Sequence, residues 1–147
     1  MKIICKKNDA KGLVLKEVGL TKDEYKFGLT IGREYLVMGI AIGKEIITPE
    51  YLVDDENRDP TWQPYMLFDI IDPTLPPNWL IKIYDNQYQG DLRSLMGFQE
   101  LITNDDYHYA LIDGQQWALD IYFKRKAEVE KYYQEKAESE GNYESYL

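Results

Sequence analysis

The apolar residues of this chain change their rhythm once, near residue 90. Before that point they alternate with polar residues or run in short blocks broken by Gly, Pro, Asn and Asp, the pattern of short strands and turns. After it they return every three or four residues, the period of an amphipathic helix. Residues 2–7 predict a short strand with Ile3 and Cys5 on one face, residues 8–12 a turn, and Leu13-Val14-Leu15 a second short strand. Residues 21–28 are polar, end in Gly28 and predict a loop.

Residues 33–42 make the clearest strand. Tyr35, Val37, Gly39 and Ala41 point one way, and Leu36, Met38, Ile40 and Ile42 the other. Apolar residues on both sides predict a strand covered on both faces. Gly43-Lys44 fits a two-residue type II′ hairpin turn with glycine first. The return strand over 45–53 is interrupted by Pro49, which predicts an edge position or a bulge. Residues 54–60 form an acidic turn, and Thr61-Trp62-Gln63 resumes a strand. Pro64 then opens a single helical turn, since its fixed φ suits that position and no donor is needed there. Phe68, Ile70 and Ile71 give another strand, ended by Asp72-Pro73 and Pro76-Pro77. Residues 79–84 predict the last one.

Residues 85–91 read as polar loop. Beyond them Leu92, Leu95 and Met96 share one helical face, as do Phe98, Leu101 and Ile102. Asn104 caps a short helix running through Tyr107 and Leu111, and Gly114 stops it. A long helix follows over 115–139, with Ala118, Ile121, Tyr122, Val129, Tyr132 and Tyr133 in one broad stripe. Its glutamate-rich far end projects or frays. Strands first and helices after predict an α+β fold, not alternating βαβ units. About five short strands with one helical turn between two of them is the layout of a small SH3-like antiparallel β-barrel, here followed by C-terminal helices. The 147 residues predict a single domain, with 1–84 as the barrel part and 91–140 as the helical part.

Charge alters this picture. Seventeen basic residues against 26 acidic ones give a net −9. The first 33 residues carry a net +4, so the acidity lies in the middle and C-terminal parts. Such a surface repels phosphate backbones, which disfavours unaided nucleic-acid binding, and attracts a basic partner. A single cysteine, no apolar run near the ~20 residues of a membrane span and no signal-like start set the expectation of a soluble, reduced, cytoplasmic protein.

Catalytic groupings are missing. His108 is the only histidine and sits among aromatics, the setting of a structural residue. Cys5 lies in a strand and reads as a small core residue. One His and one Cys cannot build a Cys/His zinc cluster. Asp54, Asp55, Glu56 and Asp59 invite a divalent-metal reading, but the segment lacks the glycine and distal glutamate of an EF-hand loop. There is no phosphate-binding glycine loop and no nucleophile elbow. The expectation is a protein that is not an enzyme and uses no cofactor, metal or small-molecule substrate.

Several segments carry a resemblance. They are Leu29-Thr30-Ile31-Gly32-Arg33-Glu34-Tyr35-Leu36-Val37-Met38-Gly39-Ile40, Trp62-Gln63-Pro64-Tyr65-Met66-Leu67-Phe68-Asp69-Ile70-Ile71-Asp72 with the later Trp79, Gly97-Phe98-Gln99-Glu100-Leu101, and Phe123-Lys124-Arg125-Lys126. The opening Met1-Lys2-Ile3-Ile4-Cys5-Lys6-Lys7-Asn8 joins them. Together they resemble the immunity proteins of contact-dependent growth inhibition and related polymorphic toxin systems. The chain departs from that pattern at Thr48-Pro49, where relatives read as continuous strand. The resemblance implies a cytoplasmic protein that binds and blocks the toxic C-terminal domain of a cognate effector, often a nuclease. A nuclease holds phosphates in a basic cleft, which acidic side chains can occupy. The expected partner-binding residues are therefore Asp54, Asp55, Glu56 and Asp59 in the loop and Asp105 and Asp106 at the helix start. Tyr107 and Tyr109 are the expected aromatic anchors beside them. Two rivals stand beside this reading: a small acidic adaptor or regulatory module, and a carboxylate enzyme using Asp54 or Asp55 with a divalent metal.

Overall fold

Val37 and Met38 are neighbours in sequence, yet their backbones bond to different sheets. The Val37 N–H donates to Met1 O at 3.1 Å, and the Met38 N–H donates to Leu52 O at 2.8 Å. The structure, a computed structural model, describes residues 1–144 and the side chains of residues 1–141. Its strands are β1 (Lys2–Cys5), β2 (Glu34–Leu36), β3 (Gly39–Gly43), β4 (Glu50–Asp54), β5 (Pro60–Pro64), β6 (Phe68–Asp72), β7 (Leu80–Ile83) and β8 (Leu92–Gly97). The helices α1 (Gln99–Thr103), α2 (Tyr107–Ile112) and α3 (Gln116–Glu144) follow. One sheet has the order β2-β1-β6 and the other β5-β4-β3-β8-β7, and every pairing in both is antiparallel. The fold is α+β, with both sheets open and the helices gathered at the C-terminal end. No helix among the described residues is long and apolar enough to cross a membrane.

The predicted strand over 33–42 is thus two strands. It switches sheets at Val37-Met38, and the alternation slips there: Val37 and Ile40 lie in one core, Met38 and Ala41 in the other. The first core fills the space between the sheets, with Ile3, Cys5, Tyr35, Tyr51, Val53 and Phe68. The second lies between the five-stranded sheet and the helices, with Leu52, Leu95, Leu101, Tyr107 and Tyr122. Strand β4 serves both, since Tyr51 and Val53 face one way and Leu52 the other. The expected two-sided burial is therefore present, and the predicted stripe of the long helix faces the second core.

Several predicted elements are corrected. Residues 92–97 are a strand, not a helix. Leu92, Leu95 and Met96 fit a helical period over too short a run to exclude an extended one, and the edges of β3 and β7 complete their hydrogen bonds. The change from strands to helices, expected between 84 and 91, therefore falls between Gly97 and Gln99. Leu13-Val14-Leu15 is not a strand; a 3-10 turn covers Leu15–Val18 and ends at Gly19 in a left-handed conformation. Gly43-Lys44 is not a two-residue turn, because β4 begins only at Glu50, after Pro49. Gly43 lies within β3 for lack of space: a Cβ there would sit 2.9 Å from Ile46 O. The single turn after Pro64 covers Tyr65–Leu67, as predicted.

The helical layer is seated by a glycine notch. Gly39 and Gly97 are cross-strand partners, and Leu101 of α1 packs over both. A Cβ at Gly97 would lie 2.6 Å from Leu101 Cδ2 and 3.1 Å from Met38 O. Gly97→Ala should lower stability by about 1–3 kcal/mol, the usual effect of overpacking a tight core. A urea unfolding midpoint equal to wild type would refute this close contact.

Candidate functional site

The acidic residues of the β4–β5 hairpin look alike in sequence and do different work. Asp54 ends β4 and is 6% exposed. Lys126 Nζ donates to both of its oxygens at 2.8 Å, and the Tyr122 hydroxyl donates to Oδ1 at 3.2 Å. This pair fastens the hairpin to α3. Asp55 organises the turn, its Oδ1 accepting the N–H groups of Asn57 at 2.8 Å and Asp59 at 3.1 Å. Arg58 adopts a left-handed φ of 61° inside that turn and lays its guanidinium over the Phe123 ring. Glu56 accepts from Arg33 Nη1 at 2.8 Å and from the Tyr35 hydroxyl. Asp59 is exposed and has no ion-pair partner among the described residues.

At the start of α2, Asp105 and Asp106 are exposed. The Asp105 carboxylate faces Lys82 at 3.5 Å. Asn104 Oδ1 accepts the Asp106 N–H at 3.0 Å, a local turn that sets the chain into the helix. Tyr107 is fully buried and donates its hydroxyl to Ala118 O at 2.9 Å. Tyr109 projects, 68% exposed. Two expected partner-binding residues are thereby reassigned. Asp54 and Tyr107 lie inside the protein, where residues of α3 satisfy the side-chain oxygens of each.

The hairpin and the helix start come together around one contact. Trp62 Nε1–H on β5 donates to His108 Nε2 on α2 at 2.9 Å. Accepting that bond keeps His108 neutral, and burial pushes its pKa below the ordinary value. On one side of this pair lies a groove of about 630 Å³ lined by Asp55, Asp59, Asp113, Ile112 and Trp62. On the other lies a groove of about 650 Å³ lined by Tyr84, Asp85, Tyr88, Asp105 and Tyr109. A third, of about 330 Å³, opens beyond Asp55 and Trp62 and holds Glu50, whose carboxyl burial pushes upward. The result is one grooved face with α2 as its ridge, net acidic because its aspartates and Glu50 outnumber Lys26 and Lys82. It gathers Asp55, Asp59, Asp105 and Tyr109 from the sequence reading; Glu56 lies on the same hairpin beside Arg33.

Sequence reasoning missed Asp85, Ile112, Asp113 and the Trp62–His108 contact. Only the long-range docking of α2 on β5 brings these together. Among the described residues, no group of three or more His, Cys, Asp or Glu side chains is placed to hold a metal ion.

The ionisable groups predict an acid-sensitive fold. The Tyr35 and Arg33 contacts hold Glu56 below the usual carboxylate range, Arg125 does so for Glu100, and Thr74 and Lys136 for Asp72. Each lowered group adds stability above its unfolded pKa and loses it as pH falls through the folded one. His108 follows the same sign, beginning below the ordinary imidazole value of 6.5. Glu50, shifted upward by burial, acts with the opposite sign. The urea midpoint of the wild type should fall between pH 6.5 and 5, and His108→Gln, which keeps an acceptor for Trp62, should fall less there, the remaining slope belonging to the Met1 amino group, which burial lowers to about 6. A flat wild-type profile across that window would contradict the assignment.

In comparisons with models of known protein families, with curated proteins and with solved structures, this chain matches none.

Proposed function

We propose that this chain is an immunity protein that binds and neutralises the toxic C-terminal domain of a cognate contact-dependent inhibition effector. The grooved acidic face around Trp62 and His108 carries the reading. It places carboxylates beside exposed apolar side chains, Tyr109 and Ile112, which is the chemistry of a surface that meets a basic protein. The net charge of −9 would steer such a partner from a distance. The segments around Leu29–Ile40, Trp62–Asp72 and Gly97–Leu101 support the family resemblance.

The strand order supports an SH3-like layout. In that layout β6-β1-β2 continues through the Val37-Met38 switch into β3-β4-β5, with the 3-10 turn between β5 and β6. Strands β8 and β7 extend one edge of it. The expected action is cytoplasmic, one-to-one occlusion of a nuclease-type cleft, without bond chemistry. On this reading the loop and ridge acids take the place of substrate phosphates.

Co-expression with candidate toxic C-terminal domains of contact-dependent inhibition effectors tests the proposal. Cells making this chain should survive the cognate domain and still die from unrelated ones. Equal killing with and without the chain would sink the immunity reading and favour an adaptor. With purified components, the association rate should fall as salt rises from 0.05 to 0.5 M, because exposed charges are screened beyond about 8 Å at 0.15 M. A salt-independent rate would remove steering by the acidic face.

A further inference from the structure

The groove between the β4–β5 hairpin and the α2–α3 corner has an apolar floor and a rim of one charge sign. Its floor is made by Pro60, Trp62, Leu111 and Leu119, and Ile112 stands at its lip, 47% exposed. Asp55, Asp59 and Asp113 stand around it with Thr61, His108 and Gly114, and no lysine or arginine among the described residues lines it. None of the three carboxylates forms an ion pair among the described residues. Asp113 directly follows the last residue of α2.

The walls are set in advance. The Asp55 hydrogen bonds hold the hairpin, and Gly114, at φ 70°, ends α2 with its N–H donated to Leu111 O at 3.1 Å. The Trp62–His108 bond joins the two walls. Little ordering is left to occur on binding.

We infer that this groove receives an arginine-bearing, apolar-flanked segment of a partner protein. The inference rests on the proposed function and names the chemistry of the element that docks. A purely aliphatic segment would strip water from three carboxylates and offer them nothing. An acidic segment is repelled, and so is a second copy of this chain, which carries −9. Arginine satisfies both demands. Its methylene stem covers the apolar floor, and its guanidinium stacks on an indole while donating to carboxylates in a fixed fork. The rim offers it Asp59 and Asp113, and the floor offers it Trp62.

The test is a nitrogen–proton correlation titration of the full chain with a capped six-residue peptide alternating arginine and leucine, at 50 mM salt. The control peptide carries glutamate in place of arginine. Saturable shifts should appear at the Trp62 indole, Ile112 and Asp113, and the control should give none. The Asp59→Asn, Asp113→Asn double variant should bind at least ~10-fold more weakly while keeping a folded spectrum. Shifts centred elsewhere, equal binding by the double variant, or concentration-dependent pairing of the chain through this groove would each overturn the inference. The cell-rescue assay separates the two claims. Rescue without groove binding removes the groove and leaves the immunity reading, and groove binding without rescue does the reverse.

Discussion

A sheet with apolar side chains on both faces has no solvent side, and most of this molecule is arranged around that constraint. Strands β3 and β4 form the wall. Val53 and Ile40 belong to the space between the sheets, while Leu52 and Ala41 belong to the space under the helices. Fully burying a Val, Leu or Ile side chain is worth roughly 1.5–3 kcal/mol, so leaving either face wet would be expensive. The chain therefore needs two layers besides the wall. The short sheet β2-β1-β6 supplies one, and α1 to α3 supply the other. The glycine pair Gly39 and Gly97 lets α1 approach the wall closely enough to close the second core.

The acidic face follows from how the helical layer is fastened. Asp54 is buried at the end of β4 and is tolerable there because Lys126 and Tyr122 meet it. That contact holds α3 against the hairpin, and the Trp62–His108 bond holds α2 against β5. With both in place, the remaining acids of the hairpin and of α2 are turned outward around shared grooves. Neighbouring carboxylates thus divide into a structural one, a turn-forming one, one paired to Arg33 and one free. A protein that meets its partner through such a face gains from this rigidity, since fixed charges need no ordering when the partner arrives.

The fate of individual residues shows where reading from sequence works. Cys5 and His108 were legible as structural residues, since one cysteine in a strand and one histidine among aromatics have few other uses. The turn after Pro64 and the long helix were legible because proline geometry and a sustained 3.6-residue stripe are local signals. Residues 92–97 were not, because six residues carry too short a pattern and their hydrogen-bond partners lie far away in sequence. Tyr107 and Tyr109, two positions apart in one short helix, end fully buried and 68% exposed, which no composition argument separates.

By itself, then, the sequence determined the α+β class, the strand-then-helix order, the net negative charge and the covering of residues 33–42 on both faces. These rest on local periodicity and on sums over the whole chain, which need no knowledge of contacts. The tertiary structure alone decided which acids face water, where the chain passes from one sheet to the other, and that the β4–β5 hairpin and α2 form a single face. Those depend on pairings between residues tens of positions apart, such as Asp54 with Lys126 and Trp62 with His108, whose energies exist only once the chain has closed on itself.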